Sequence, residues 1–327
     1  MTDRKKRDVG DLEAKNDGLK LAVVFGTGRS GTTLVQEVLT RHASTGFVSN
    51  IEDKFPLLHY DGRWNQRIYQ HVPPKDPALR PFKDRRKLWE SGRVRLAPSE
   101  AWEVMDRQVS SIWAKPCRDL VASDATPWLK DRFRNFFQRR ADAQGSSVFV
   151  AHWTGWPRAG FAEEAIPGTR FIHVIRDGRA VANSWLQMGW WDGYHGPSRW
   201  YLGQLSEQDQ RQWEEDGRSF VTLAGLGWRM LIENFEKARA LLPGDQWLDV
   251  RYEDVLQNPE QEYRRMLDFL GLDWSRRFEQ GFRRYRFETG RKEAFRRDLD
   301  PANLARLERI LEPTLERYGY ETGTGQK

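Results

Sequence analysis

A short apolar run that stops at a glycine and restarts as a helix constrains this chain more than any other feature. Leu21 to Phe25 (LAVVF) is continuously apolar, as a strand buried on both faces must be. It leads directly into Gly26-Thr27-Gly28-Arg29-Ser30-Gly31-Thr32-Thr33-Leu34, and an amphipathic pattern follows from Thr32 to Arg41. Glycines let the backbone turn tightly and approach a ligand closely. A helix starting there offers free N–H groups and the positive end of its dipole to an anion. Ser30, Thr32 and Thr33 add hydroxyl donors, and Arg29 adds a fixed positive charge. The spacing from Gly26 to Thr33 nearly satisfies the nucleotide loop Gly-x4-Gly-Lys-Ser/Thr, except that Thr32 stands where that loop has lysine. With its cation earlier, at Arg29, the segment suits a monophosphate-like end bearing a transferable anionic group better than a metal-bound triphosphate.

Three further apolar runs read as buried strands: Val148 to Ala151, Phe171 to Ile175 and Trp247 to Val250, with another short strand near Phe47. Helical patterns lie at Asp124 to Ala143 (Trp128, Leu129, Phe133, Phe136 and Phe137 on one stripe), Gly178 to Met188, Phe220 to Leu242, Pro259 to Leu270 and Pro301 to Tyr318. Asp300 and Pro301 supply an N-cap and a first helical residue for the last of these. Strands alternating with helices predict an α/β fold, a parallel β-sheet flanked by helices. His71 to Pro98 and Gly189 to Gly217 lack periodicity and read as functional loops or lids. The expected organisation is one domain over 19–320, with irregular insertions near 54–100 and 189–217, a disordered segment 1–18 and a frayed tail 321–327.

Hydrophobic residues make up 39% of the chain, enough for a core, so global disorder is excluded. One cysteine excludes an intramolecular disulfide and a cysteine-based zinc site. No apolar run approaches the roughly 18 residues of a membrane helix, so stable membrane insertion is not expected. Met1 to Lys20 is charged and lacks a signal peptide's apolar centre, which makes a cytoplasmic protein the expectation. The net charge is +6, and Arg276 to Arg297 alone, with nine basic residues against three acidic, accounts for it. That segment reads as a solvated face or as a strap over a small polyanion. A long nucleic acid is not expected, because the remaining surface has no basic excess.

A second motif, Phe171-Ile-His-Val-Ile-Arg176-Asp-Gly-Arg-Ala-Val-Ala-Asn-Ser184-Trp, places an arginine at a strand's carboxyl end and a serine eight residues on in a helix. Such an arginine faces the crevice where α/β sheets bind ligands, and Ser184 completes a fork on a phosphate. A third, Val250-Arg251-Tyr252-Glu253-Asp254, puts an aromatic face and a hydroxyl at another strand end.

Gly26 to Leu34 resembles the 5′-phosphosulfate loop of sulfotransferases that use 3′-phosphoadenosine 5′-phosphosulfate (PAPS). It is closest to the branch with arginine in that loop, which includes tyrosylprotein and bacterial enzymes. The resemblance implies a P-loop NTPase-like sulfotransferase fold and transfer of a sulfonate group to a hydroxyl or, less favoured, an amine. It places Gly28, Arg29, Ser30, Gly31, Thr32 and Thr33 on the 5′ end, Arg176 and Ser184 on the 3′-phosphate and Tyr252 against the adenine. Arg291 and Lys292 resemble the family's C-terminal basic loop and would close on either phosphate.

The implied reaction parallels in-line phosphoryl transfer, in which positioning and charge stabilisation do most of the catalysis. Unlike that reaction it is not expected to require a divalent metal, because the arginine, the hydroxyls and the helix start spread the developing charge. The carboxylates of Ser49-Asn50-Ile51-Glu52-Asp53-Lys54 stand where relatives carry a glutamate base, so Glu52 or Asp53 is the candidate, with His59 and His71 behind them. Relatives often have a lysine near the end of the strand at Val148, which helps the leaving group. Here His152 takes that place, and in its protonated form it would do part of the work. Trp153, Trp156, Trp185, Trp190, Trp191, Trp200 and Trp213 either line an acceptor site, suiting a glycan, glycolipid or aromatic molecule, or fill the core. Two other classes compete. One is a P-loop kinase, which needs the missing lysine; the other is a non-catalytic module binding adenosine bisphosphate or RNA.

Overall fold

The computed structural model describes residues 18–55, 57, 60–74, 95–288 and 293–322. Five parallel strands form one sheet in the order β2-β3-β1-β4-β5: β1 Leu21–Gly26, β2 Thr45–Gly46, β3 Val148–Thr154, β4 Arg170–Ile175 and β5 Trp247–Arg251. The apolar runs predict four of them, and β2 lies immediately before Phe47. β3 extends beyond Ala151 because His152, Trp153 and Thr154 stay in register with Val24, Phe25 and Gly26.

Alternation along each strand sends side chains to opposite faces. Leu21, Val23 and Phe25 join Phe149, Ala151, Trp153 and Phe171 on one face, under the helices Pro127–Gln144 and Ala159–Ala165. Ala22 and Val24 join Val148, Val150, Ile172, Val174 and Val250 on the other, under α1 (Thr32–Leu39) and the helix Pro259–Leu270. With both faces covered, most positions on either face are apolar, which is why the strands read as nearly unbroken runs. Asp300 caps the helix Pro301–Arg317 as its position predicts, accepting from the Asn303 N–H at 2.9 Å.

Packing corrects one sequence expectation and decides between two alternatives in another. Trp128 does not join the buried stripe of its helix; it is exposed, with the Arg132 guanidinium 5.0 Å from its ring. The tryptophans Trp153, Trp156, Trp185, Trp191 and Trp200 are buried core, most of them with the helices Gly178–Leu186, Phe220–Ala240 and Pro301–Arg317. Of the seven candidates, Trp190, at 51% exposure, and the half-buried Trp213 are the two that are not buried. The 189–217 segment also contains a helix, Glu207–Glu215, whose single apolar residue, Trp213, packs on the core and is too little to set a period.

The chain leaves β1 for β2 and β3 on one side of the sheet, then crosses to β4 and β5 on the other. The order reverses beside β1, and the crevice opens over its carboxyl end. The segments following β1, β3, β4 and β5 meet there.

Candidate active site

The turn between β1 and α1 is wound through left-handed backbone, with φ of +78° at Gly28, +58° at Arg29 and +96° at Gly31. Arg29 is the costly member, because a side chain in this region loses about 1–2 kcal/mol. No side chain caps α1, so the start of that helix faces the crevice with its dipole unopposed. Ser30 is fully buried and its Oγ has no hydrogen-bond partner.

Arg176 stands just beyond the carboxyl end of β4 and meets this turn. Its Nη1 donates to the Arg29 carbonyl at 3.0 Å, and its Nε is buried without a partner. Asp177 does not neutralise it, because Arg179 grips that carboxylate through Nε and Nη2 and also reaches Glu308 and the Glu321 carbonyl. Ser184, two turns into the next helix, accepts from Arg29 Nε at 2.9 Å. The two motifs, about 150 residues apart in the chain, therefore touch through both the backbone and the side chain of Arg29.

Tyr252 opens the segment after β5, and its ring lies against Gly31. A methyl group on Gly31 would sit 2.1 Å from Tyr252 Cδ2. The Arg176 guanidinium is 5.3 Å from the same ring. Glu253 braces the neighbouring turn, accepting from the Asp177 N–H at 3.2 Å and the Tyr320 hydroxyl at 2.9 Å.

The carboxylates expected to act as base are engaged elsewhere. Glu52 is 1% exposed and its Oε1 accepts from Arg140 Nε at 2.7 Å, with Arg140 equally buried. Burial pushes the Glu52 carboxyl up and the Arg140 guanidinium down, further than their mutual attraction reverses. Asp53 accepts from the Glu103 and Val104 N–H groups, so it caps the helix Trp102–Gln108, and it also accepts from Ser99 Oγ at 2.7 Å. His152 is buried on the α1 face of the sheet, and burial holds its imidazole below the ordinary histidine range. The protonated form expected from the sequence is therefore disfavoured at neutral pH. His71 lies exposed beyond the helix Asn65–Tyr69, and His59, Arg291 and Lys292 fall outside the described residues. The described parts on either side of residues 289–292 pack on two different elements. At one end Tyr285 accepts from Arg41 at 2.9 Å, and at the other Asn183 donates to Asp298 at 3.2 Å.

Two further groups stand beside the glycine turn, Trp185 at the end of the second motif and Thr154, which no motif marks. Trp185 Nε1 is a buried donor without a partner, 3.8 Å from where a Cβ on Gly28 would lie. Thr154, the last residue of β3, is equally close to that point and donates to Glu100 Oε2 at 2.9 Å. The loop after β3 is held by Arg158, which donates to the carbonyls of Trp113, Thr154 and Trp156, while its own N–H meets Asp119 Oδ1 at 2.6 Å.

Burial pushes the Asp119 carboxyl up to about 6. The folded protein then keeps a proton that the unfolded chain releases near pH 3.9. The resulting stabilisation is complete below about pH 4 and lost as the pH rises through about 6. Asp119→Asn, which still accepts the Arg158 N–H, is expected to lose less stability than the native protein between those pH values. Urea midpoints at both ends of the window check this, and equal losses in the two proteins would contradict it.

The donors fit a small molecule with two anionic ends. Among the described residues, Ser30 Oγ, Arg176 Nε and Trp185 Nε1 are buried polar atoms without partners, grouped around an uncapped helix start. Such groups are costly unless a ligand satisfies them. Among the described residues no helix is long and apolar enough to cross a membrane.

Residues 22–276 match the model of the sulfotransferase family. No curated protein sequence matches the chain. In structure the chain is similar to the sulfotransferase STF9 from Mycobacterium avium, at 15% identity and a TM-score of 0.52, over 93% of this chain and 78% of that one. It is also similar to the sulfotransferase domain from the curacin biosynthetic pathway, at 14% identity and a TM-score of 0.50, over 93% and 99% of the two chains. At such identities the likeness concerns the fold, a parallel sheet flanked by helices of the P-loop-like type. The family match carries the class: this chain belongs to the sulfotransferase family and is a PAPS-dependent sulfotransferase.

Proposed function

We propose that the crevice holds PAPS by its two anionic ends and that the enzyme passes sulfonate to a hydroxyl group of a small-molecule or glycan acceptor. The observation that carries this reading is the junction at Arg29, where the turn after β1 and the Arg176–Ser184 motif converge. When bound, PAPS supplies an activated sulfonate whose departure leaves adenosine 3′,5′-bisphosphate.

In this reading the backbone of Gly28 to Thr33, the hydroxyls of Ser30, Thr32 and Thr33 and the Arg29 guanidinium bind the 5′ end and spread the negative charge that develops there. Arg176 and Ser184 take the 3′-phosphate, and Tyr252 offers an aromatic face. Trp185 Nε1 adds a donor next to Gly28. His152, neutral and buried, supplies at most one N–H rather than a cation. The core packing of most tryptophans leaves Trp102, which donates to Glu100 at 2.6 Å, as an aromatic surface beside the crevice for an acceptor ring.

Ligand-dependent stability tests the donor assignment. A ligand that binds only the folded protein at 100 times its Kd adds about 2.7 kcal/mol. Adenosine 3′,5′-bisphosphate is expected to raise the melting temperature clearly, and Arg176→Ala to remove that shift. Mg-ATP at the same concentration is expected to do little, because Thr32 replaces the lysine a triphosphate needs. A larger shift with Mg-ATP would favour a kinase.

A further inference from the structure

We propose that Glu100 is the group that takes the acceptor's proton, an inference that rests on the PAPS reading of the same crevice. Glu100 comes from the 95–100 segment, which no periodicity marks. The segment is laid antiparallel to residues 48–50 by a Ser49–Pro98 bridge, by the Asn50 N–H on the Ala97 carbonyl at 2.8 Å and by the Ser99 N–H on the Val48 carbonyl at 2.9 Å. Asp53 fixes the helix that starts at Trp102, immediately after it. The carboxylate is thereby brought to the tip of β3.

The two oxygens of Glu100 differ. Oε2 accepts from Trp102 Nε1 and Thr154 Oγ1, which fixes the plane of the carboxylate. Oε1 takes no hydrogen bond among the described residues and lies 4.0 Å from His152 Nε2, a buried nitrogen that also has no partner. The side chain is 30% exposed, so an acceptor reaches it, whereas Glu52 at 1% is sealed. Thr154 Oγ1, held by Oε2, is 3.9 Å from the position of a Cβ on Gly28, so the carboxylate stands beside the turn that holds the transferable group. Arg158, Tyr201 and His152 are its other titratable neighbours.

In the step that follows, a lone pair of the acceptor oxygen forms the new O–S bond. The electron pair of the broken S–O bond leaves on the nucleotide's 5′-phosphate. The acceptor's proton passes to Glu100 Oε1 and then to solvent. A base positioned this way contributes about 10²–10⁴-fold. Its contribution grows as the acceptor hydroxyl becomes less acidic, which a purely structural carboxylate would not reproduce.

The test compares the full-length protein with Glu100→Gln, which keeps an oxygen for Trp102 and Thr154, and with Glu52→Gln. Each is given ³⁵S-labelled PAPS with water, phenol or 4-nitrophenol as acceptor, and binding of adenosine 3′,5′-bisphosphate is measured by calorimetry. Glu100→Gln is expected to bind the bisphosphate as the native protein does and to lose about 10²–10⁴-fold in transfer to phenol and water. With the more acidic 4-nitrophenol the loss should be smaller. Folded Glu52→Gln is expected to turn over. Native-like rates in Glu100→Gln, or the same loss with every acceptor, overturn the proposal. So does a larger loss in Glu52→Gln, or native protein that binds bisphosphate yet releases no sulfate to any acceptor. Native protein that fails to bind the bisphosphate overturns the donor reading itself, and the proposal with it.

Discussion

Gly31→Ala is expected to abolish adenosine 3′,5′-bisphosphate binding and sulfonate transfer together. The added methyl group meets Tyr252 Cδ2, Cε2 and Cγ at 2.1, 2.2 and 2.8 Å, all of them ring atoms. No rotation of a flexible tip relieves such contacts; the whole ring must move. The backbone adds to the strain, because φ is +96° and an alanine there loses about 1–2 kcal/mol. Moving the ring also disturbs the Arg176 guanidinium beside it, hence the Arg29–Arg176 junction. Displacements of about 1 Å in a catalytic site cost on the order of 10²-fold in rate. Gly145→Ala is the control: φ is +63°, but nothing lies within 4 Å of the new methyl group. It should lower the melting temperature slightly and leave ligand binding intact. Calorimetric titration of both variants with the bisphosphate decides the matter, and near-native affinity in Gly31→Ala would refute the geometry of the turn.

The second large effect is on stability. Glu52→Gln removes the buried charge paired with the Arg140 guanidinium and leaves only Asp61 Oδ1, 4.0 Å away, opposing it, although Phe136 O and Gln108 Oε1 still accept from it and the Phe136 ring lies 3.6 Å from it. Breaking a buried pair from one side costs about 3–5 kcal/mol. At about 2.1 cal/mol/K per residue, that amounts to roughly 4–7 °C in melting temperature for a chain of this length. Burial already outweighs attraction in the pair, so Glu52→Leu combined with Arg140→Met should recover most of the loss. A double variant no more stable than Glu52→Gln would show that the charges themselves, and not the filling of that space, hold Asn50–Lys54 against the helix Pro127–Gln144. Denaturant titration of the single and double variants gives the answer.

These two variants mark where sequence reading succeeds and where it stops. Gly26 to Thr33 is legible because its requirements are local: a strand must end, the backbone must turn left-handed and a helix must begin, and few residue types allow all three. The placement of Arg176 and Ser184 beside that turn is local too, their spacing being set by one strand end and two turns of helix. Glu52 misleads because an acidic turn after a short strand carries the same local pattern whether its carboxylate faces a crevice or a buried arginine. Arg140 lies 88 positions further along the chain, and nothing near Glu52 announces it. The tryptophans stay open to two uses in the sequence for a related reason: a flat apolar ring suits a sugar and a core equally, and only burial separates the two.

The order of strands and helices and the glycine turn are properties of the sequence by itself, since each follows from periodicity or spacing within a short stretch, and the resemblance to the family rests on that same turn. Which carboxylate reaches the crevice was decided by the tertiary structure. Glu100 arrives there through pairing of residues 95–99 with residues 48–50 and through the threonine at the end of β3. Contacts between segments so far apart depend on the whole fold closing around β1, and no local stretch of the chain encodes them.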